Sequence, residues 1–242
     1  MMVMELAKPE KDETKHIMNI TIIGAGNVGG ALGKSWAKAG HKIKFGVRHP
    51  GDPKHRGLLE ACGPNASNAT NGEAAAFGDV IAVATPWEAT QPAIAECGNL
   101  AGKVLVDCTN PLKFTPGVGL ELAIGHATSG GEMVAQWAPG ARVVKCFNTY
   151  GFENFADASY PGYGRLKPVM FLAGDDADAR RVVAQLAADI GFQPLDTGEL
   201  KMARLLEPTG MLWIHQAIVQ KQGTGFTWGM LERMASARPQ KS

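Results

Sequence analysis

Three glycines near the start of the chain have the spacing of a nucleotide-binding turn. Gly24, Gly26 and Gly29 form a G-x-G-x-x-G pattern directly after a run of apolar or β-branched residues at 20–23. In such a turn the first glycine allows a sharp bend, the second lets a pyrophosphate approach the backbone, and the third lets the next helix pack on the strand. The N–H groups around Asn27 and Val28 would then face the phosphates. The pattern predicts dinucleotide binding, and the alternative is a glycine-rich turn that binds nothing.

The end of the second predicted strand indicates which dinucleotide would bind. An acidic residue at this position holds the ribose hydroxyl of NAD, whereas a cation accommodates the 2′-phosphate of NADP. Here the strand at 41–47 is followed by Arg48 and His49. A guanidinium group suits phosphate because it offers a planar set of N–H donors. We therefore predict NADP(H), and the alternative is a solvated basic loop.

Polar and aromatic side chains follow three further predicted strands, at 80–84, 103–107 and 142–148. In an open parallel sheet, ligands bind outside the carboxyl ends of the strands. We therefore expect these side chains near the ribose and nicotinamide: Thr85, Pro86, Trp87, Asn110, Asn148 and Thr149.

Two of these positions have structural alternatives. The carboxamide of Asn110 can donate and accept hydrogen bonds beside a nicotinamide amide, which makes it a better functional candidate than Asp107. Asp107 is at least as well explained as a turn residue that binds local backbone. Trp87 is expected beside the cofactor, but it could instead pack on a helix.

Strand and helix patterns alternate along most of the chain, which predicts an α/β fold. We expect a Rossmann-like, doubly wound, mostly parallel sheet at 19–198, preceded by a flexible leader at 1–18. An apolar helical region at 199–242 should pack on this domain or on a dimer partner. Within it, Pro208 and Gly210 are expected to interrupt the helix.

Two long irregular stretches break the strand–helix alternation. The glycine-rich stretch at 112–131 is interpreted as part of the substrate mouth or a lid, since long loops in compact domains are usually functional or mobile. The stretch at 152–167 contains four aromatic residues. These could line a pocket for a flat ring or could pack the loop on itself.

Composition limits the class of protein. The 242 residues are 45% apolar and 19% charged, and the formal net charge is +1. This indicates a globular protein without a basic surface for nucleic acid, and no apolar run is long enough to span a membrane. The N-terminus lacks the apolar core of a signal peptide. The four dispersed cysteines indicate reduced thiols in a cytoplasmic protein, and the histidines show no metal-site spacing.

Several segments together resemble a known family. They are GAGNVG, FGVRHP, ATPWEA, LVDCTNPL, ARVVKCFNT, FLAGDD and IGFQPLDTGEL, and they resemble the NADP-dependent oxidoreductases that use 8-hydroxy-5-deazaflavin. They are also similar to the cytosolic domain of the six-transmembrane ferric reductases. The resemblance implies an NADPH-binding Rossmann-like domain, often dimeric, with a small-molecule flavin or deazaflavin as second substrate.

The resemblance also implies roles for individual residues. Arg48 would bind the 2′-phosphate; Val47 stands where the family usually has Ser or Thr, and His49 could substitute for the lost hydrogen bond. The glycine turn would contact NADPH through Ala25, Gly26, Asn27 and Val28. The nicotinamide side would be surrounded by Trp87, Gln91, Asn110, Asn148 and Thr149.

The resulting hypothesis is hydride transfer between NADP(H) and a flavin-like or deazaflavin-like acceptor, as in a flavin reductase. Such a step needs orientation and exclusion of water rather than a nucleophile, so no catalytic residue is assigned. One alternative is a dehydrogenase of a small carbonyl or imine, with Lys113 or Lys145 as proton donor, although Lys145 lies in mid-strand. The other is a non-catalytic NADPH sensor.

Overall fold

The computed structural model describes residues 16–233. Most of the predicted leader at 1–18 and the end of the predicted C-terminal region, at 234–242, lie outside the described residues.

One eight-stranded sheet forms the centre of the fold, with a separate two-stranded hairpin. The described part of the chain has ten strands, numbered in chain order: β1 Asn19–Ile23, β2 Lys42–Gly46, β3 Ala66–Ala69, β4 Val80–Val83, β5 Val104–Asp107, β6 Leu112–Thr115, β7 Gly119–Leu122, β8 Arg142–Cys146, β9 Val169–Gly174 and β10 Gln193–Asp196. The large sheet has the order β3-β2-β1-β4-β5-β8-β9-β10. Its first six strands are parallel, β9 runs antiparallel to β8, and β10 is parallel to β9. The predicted Rossmann-like, mostly parallel sheet is confirmed.

Within residues 16–233, seven α-helices connect or cover these strands. They are α1 Asn27–Lys38, α2 Arg56–Cys62, α3 Asn71–Phe77, α4 Trp87–Glu96, α5 Gly130–Trp137, α6 Ala177–Asp189 and α7 Ala203–Ile214, and α7 continues into a π-helical turn, His215–Val219. Side chains cap three of the helix N-termini: Thr70 caps α3, Ser129 caps α5 and Asp176 caps α6. Each cap accepts a hydrogen bond from a backbone N–H that has no partner within the helix.

The hydrophobic core lies on both faces of the sheet. Successive residues of β1 point to opposite sides, so Ile22 joins one apolar cluster and Ile23 joins the other. β4 and β5 are buried along their whole length. Central strands of this kind read as continuous apolar runs because helices cover both faces. The carboxyl ends of the six parallel strands consequently share one edge of a rigid sheet.

The sequence predicts a long loop at 112–131, but part of this stretch forms two short strands. It begins with the antiparallel hairpin of β6 and β7, whose register pairs Leu112 with Leu122. Gly117 and Gly119 lie in the left-handed region, with φ of 80° and 103°, and form its turn. Each strand has only four residues, and most of their side chains are partly exposed. Strands this short show no clear alternation of apolar and polar residues in the sequence.

The expected interruption of the C-terminal helix is also wrong. α7 runs without a break through Pro208 and Gly210. Gly210 is a packing position, because a Cβ there would lie 2.6 Å from the carbonyl oxygen of Asn148. Its lack of a side chain lets the helix rest directly on the end of β8.

The stretch at 152–167 contains short 3₁₀ turns and contacts α1 far from the glycine turn. The carbonyl of Phe155 accepts a hydrogen bond from Ser35 in the last turns of α1, about 12 Å along the helix from Asn27. Phe155 itself is buried against Phe147 and Phe192. Tyr163 is exposed. Part of this aromatic group therefore packs the segment onto the core.

Candidate functional site

The glycine turn connects β1 to α1 and has one open side. Gly24 has φ of +103°, and a Cβ there would lie 2.8 Å from the carbonyl oxygen of Ala84. A Cβ on Gly29 would overlap the carbonyl oxygen of Gly24. Gly26 differs from both, because nothing lies within 4 Å of the position that its Cβ would occupy. Gly24 and Gly29 are therefore needed by the fold, whereas the space over Gly26 is available to a ligand.

The N-terminus of α1 is uncapped, unlike those of α3, α5 and α6. Its N-cap is Gly26, which has no side chain to accept a hydrogen bond, and the first turn carries no acidic residue. The first N–H groups of a helix have no acceptor within the helix, and together with the helix dipole they favour an anion. The exposed Gly26 and Asn27 thus offer a place that fits a pyrophosphate.

Arg48 and His49 follow β2, which is the neighbour of β1 in the sheet. Both side chains are exposed, whereas Val47 beside them is buried. No carboxylate lies within 4.0 Å of the Arg48 guanidinium among residues 16–233. The cation therefore lies one strand from the glycine turn and is free to receive an anionic group. Its assignment to a 2′-phosphate stays a prediction.

Thr85, Pro86 and Trp87 lie where β4 passes into α4, on the other side of β1. The Thr85 hydroxyl is 2.9 Å from that of Thr90, and Pro86 is the N-cap of α4. Trp87 is the first residue of α4 and is half-buried, and its ring lies 5.1 Å from that of Trp137. Trp87 therefore does pack against a helix.

Gln91 lies one turn further along α4 than Trp87 and is exposed. Residues four apart share a helix face, so Gln91 and Trp87 lie on the same side of α4. Their contact with a nicotinamide stays a prediction.

Two asparagines join the ends of β5 and β8. Asn110 donates to the carbonyl of Asn148 at 2.8 Å, and Asn148 Nδ2 donates to Asn110 Oδ1 at 3.0 Å and to the carbonyl of Leu206 at 3.1 Å. Phe147, just before Asn148, has φ of 60°, which is rare for a bulky residue. This left-handed residue ends β8 and turns the chain toward Asn110. Such backbone outliers often occur at functional sites.

The asparagine pair has acceptor capacity left over. Asn148 Oδ1 and Thr149 Oγ1 are buried and have no hydrogen-bond partner within the described part of the chain. Buried polar atoms are normally satisfied, so these two unpaired oxygen atoms call for an explanation. A carboxamide with N–H donors, such as that of a nicotinamide, has the matching chemistry.

A buried charged cluster lies directly beneath the asparagine pair. The ammonium group of Lys145 in β8 lies 2.8 Å from Asp107 Oδ2, 2.9 Å from Glu207 Oε1 and 2.6 Å from the carbonyl of Thr109. These contacts use all three of its N–H donors. Lys145 and Asp107 are 0% exposed and Glu207 is 1% exposed. Burial lowers the pKa of the Lys145 ammonium, but attraction by both carboxylates outweighs it and the pKa is raised.

The two carboxylates of this cluster also hold backbone groups. Asp107 Oδ1 accepts from the N–H and the hydroxyl of Thr109. Glu207, on α7, accepts from the N–H groups of Gly130 and Gly131 at 2.9 and 3.0 Å. A single cluster thus fastens β5, β8, α5 and α7 together.

Sequence reasoning missed Glu207 and treated Asp107 and Lys145 only as doubtful acid–base candidates. A signal was present, because Lys145 stands inside the apolar strand at 142–148 and Glu207 inside the apolar segment at 199–220. A charge in a buried segment needs a partner. Their separation of 62 positions hides which residue that partner is.

Buried thiols flank the cluster. Cys108 and Cys146 are unpaired and buried. Burial raises the pKa of both thiols. They therefore stay neutral near pH 7 and offer no nucleophile here. Among residues 16–233, no group of three His, Cys, Asp or Glu side chains is placed to hold a metal ion.

Comparison with known proteins finds an NADP oxidoreductase family model and related reductases. Residues 19–111 match the family model described as NADP oxidoreductase, coenzyme F420-dependent. The F420-dependent NADP reductase of Methanothermobacter thermautotrophicus is 29% identical over 213 residues, which cover 82% of this chain and 89% of that protein. The resemblance to the deazaflavin-using NADP oxidoreductases is confirmed. The matching family model and this relative are both NADP-dependent, which is the enzyme class that the resemblance implies.

The ferric-reductase resemblance is confirmed as well. Metalloreductase STEAP3 of Rattus norvegicus is 29% identical over 194 residues, covering 80% of this chain. The match spans only 36% of that relative's length. Within residues 16–233, no helix has both the length and the apolar character needed to cross a membrane.

Solved structures support the same fold. A chain from Arthrobacter sp. FB24, a candidate F420-dependent NADP reductase, has a TM-score of 0.79 and 29% identity, with 89% of this chain and 100% of that chain covered. A reductive aminase from Aspergillus terreus has a TM-score of 0.62 and 18% identity, covering 85% of this chain and 64% of that chain. At that identity the aminase shares the fold alone.

Proposed function

We propose that this chain is an NADP-dependent oxidoreductase that exchanges a hydride between NADP(H) and a flavin-like or deazaflavin-like acceptor. The observation that carries the acceptor class is the state of the charged groups at the ends of β5 and β8. Asp107, Lys145 and Glu207 satisfy one another and are buried. The side chains predicted to surround the nicotinamide at this edge are amides, a hydroxyl and an indole. Such an edge can orient two flat rings but supplies no proton.

The residues present fit NADP(H). The uncapped start of α1 and the open space over Gly26 suit a pyrophosphate, and the exposed Arg48 suits a 2′-phosphate. The unpaired acceptors of Asn148 and Thr149 suit a carboxamide. When bound, the dinucleotide supplies the hydride, and the task of the chain is to orient it and exclude water.

The contacts of Lys145 argue against reduction of a small carbonyl or imine. Such a reaction needs a proton donor near the reacting atom. Lys145 has no free N–H, and Lys113 is an exposed residue of the hairpin, 3.7 Å from Glu121. A flavin-like acceptor can take its proton from solvent, so it places no such demand on the protein. The name of the Methanothermobacter relative agrees with this acceptor class.

Stopped-flow absorbance tests the proposal directly. The full chain is first mixed with NADPH. In three separate experiments it is then mixed with one acceptor: coenzyme F420, FMN or a cyclic imine. We expect oxidation of NADPH with F420 or FMN and none above background with the imine. Turnover with the imine alone would contradict the acceptor class. Tight NADPH binding without turnover of any acceptor would favour the sensor interpretation, and failure to bind NADPH would contradict the whole proposal.

A homodimer is part of the same proposal. Leu205 and Leu212 lie seven positions apart on α7 and are 63% and 50% exposed, and Val219 in the π-helical turn is 56% exposed. Residues at this interval form one stripe on a helix, and an exposed apolar stripe favours pairing with a second copy. Sedimentation equilibrium should give twice the chain mass, and Leu212→Lys should shift the species toward monomer. Leu231→Lys is the control, since Leu231 is exposed outside the helix.

A further inference from the structure

The buried cluster contains one more negative than positive group. Its members are two carboxylates, Asp107 and Glu207, and one ammonium, Lys145. The nearby ion pair of Glu132 with Arg204 is neutral as a pair and is partly exposed to solvent. The N-terminus of α5, which faces Glu207, contributes a partial positive charge of roughly half a unit. The cluster therefore has a residual negative charge in a buried, poorly screened position.

This residual charge lies immediately below the asparagine pair. Lys145 binds the carbonyl of Thr109, the residue before Asn110. Glu207 follows Leu206, whose carbonyl accepts from Asn148. Gly210 on the next turn of α7 rests on Asn148. Lys145 and Glu207 are thus linked through a few bonds to the side-chain amides of Asn110 and Asn148, which are proposed to contact the nicotinamide.

We infer that the Asp107–Lys145–Glu207 cluster makes the site favour the oxidised dinucleotide by stabilising positive charge on the nicotinamide ring. The inference rests on the proposed function, because it needs the nicotinamide above the asparagine pair. Transfer of a hydride carries two electrons and a hydrogen nucleus to the acceptor and leaves the ring with one positive charge. A negative charge held nearby stabilises the charged ring and has little effect on the neutral one.

The cluster also has a structural role, which has to be separated from the electrostatic one. It ties α5 and α7 to the sheet through Gly130, Gly131 and Lys145. Loosening that link would weaken the binding of both cofactor forms by similar factors, since both share the same phosphates and carboxamide. A change of charge alters their ratio. The ratio of the two dissociation constants is therefore the decisive quantity.

The test compares the wild-type chain with Glu207→Gln, which removes one negative charge and keeps the side-chain size. Dissociation constants are measured for NADPH by fluorescence and for NADP⁺ by calorimetry, without any acceptor. We expect the ratio of Kd(NADP⁺) to Kd(NADPH) to rise roughly threefold to tenfold, the size expected for a unit charge about 10 Å away in a partly buried site. A ratio within twofold of wild type would overturn the inference.

Glu132→Gln is the matched control. Glu132 is also an ion-paired carboxylate at the start of α5, but its side chain is 21% exposed and its arginine partner 37% exposed, so solvent screens this pair more than the buried cluster. The ratio of Kd(NADP⁺) to Kd(NADPH) in Glu132→Gln should stay within twofold of wild type. An equal rise of this ratio in Glu132→Gln and Glu207→Gln would overturn the role of the buried cluster. Asp107→Asn makes the same charge change from the other side of Lys145 and should reproduce the rise.

The remaining outcomes separate this inference from the proposed function. Circular dichroism establishes whether each variant is folded. If both Glu207→Gln and Asp107→Asn unfold, the cluster is structural and the inference is overturned. If the wild-type chain binds neither cofactor form, the proposed function fails before any variant is compared. If it binds both forms and only the ratio fails to change, this inference alone is wrong.

Discussion

The two ends of the same sheet edge are built in opposite ways. At the end of β1 and β2, the site consists of a bare helix N-terminus, an open turn at Gly26 and the exposed Arg48. At the end of β5 and β8, the residues are buried and bind one another, through Lys145 and the asparagine pair. The first end offers a ligand N–H groups and a cation that have no protein partner among residues 16–233. At the second end, nearly all hydrogen-bonding and charged groups already bind other protein groups.

The difference matches what each half of a dinucleotide needs. Phosphates are strongly hydrated anions that are held by N–H donors and cations at the surface. The reacting ring needs a rigid platform, because small displacements slow hydride transfer. A buried ion cluster can provide that rigidity, but removing one member leaves an uncompensated charge. The two ends should therefore respond to substitution very differently.

The largest effect is expected from Lys145→Met. It leaves the carboxylates of Asp107 and Glu207 buried within a few ångströms of each other, without the ammonium between them. Breaking a buried ion pair in this way costs about 3–5 kcal/mol, so the free energy of unfolding in urea should fall by that amount. Lys113→Met is the control, since its pairing with Glu121 is long and exposed, and it should change stability by less than about 1 kcal/mol. A similarly small loss in Lys145→Met would remove the contrast between the two ends.

The same contrast explains what the sequence could predict. The glycine turn and Arg48 lie within 25 positions of each other, and their roles follow from local backbone geometry and the βαβ pattern. The mostly parallel sheet also follows, because strand and helix patterns alternate along the chain. The Thr70 cap of α3 was predictable because its capping box spans only four residues.

The buried end could not be assembled from the sequence. Asp107 and Lys145 are 38 positions apart, and Gly130 and Glu207 are 77 apart, so no local pattern links them. Gly210 was misjudged for a related reason. Its intrinsic helix propensity is poor, but the packing of α7 on Asn148 requires a residue without a side chain. Tertiary contacts decided these positions.

A pair of glycine substitutions tests whether the open turn is built for the ligand rather than for the fold. Gly29→Ala forces a Cβ against the Gly24 carbonyl and should destabilise the protein by about 1–3 kcal/mol. Gly26→Ala meets no protein atom and has φ of −79°, which alanine adopts readily, so stability should change by less than about 0.5 kcal/mol. Its NADPH affinity should nevertheless fall about tenfold or more, because the methyl group occupies the space assigned to the pyrophosphate. Unfolding curves and NADPH fluorescence titrations measure the two quantities, and unchanged affinity in Gly26→Ala would contradict the assignment of the turn.

The smallest effect, but the most selective, is expected from Arg48→Ala. The side chain is exposed and lacks a carboxylate partner among the described residues, so its removal should leave stability nearly unchanged. Loss of one charge-assisted contact to the 2′-phosphate should weaken NADPH about tenfold, or ~1.4 kcal/mol. NADH lacks that phosphate and should lose less than about twofold, so its binding serves as an internal control.

Arg181→Ala is the second control for Arg48→Ala, because Arg181 is an exposed arginine on α6, beside the other end of the sheet. Arg181→Ala should change neither the NADPH affinity nor the NADH affinity. If Arg48→Ala weakens NADPH and NADH equally, the guanidinium acts on a part common to both cofactors, and the 2′-phosphate assignment is wrong. A selective loss would show that the exposed end of the edge determines which dinucleotide binds. The buried end would then be left to act on the ring.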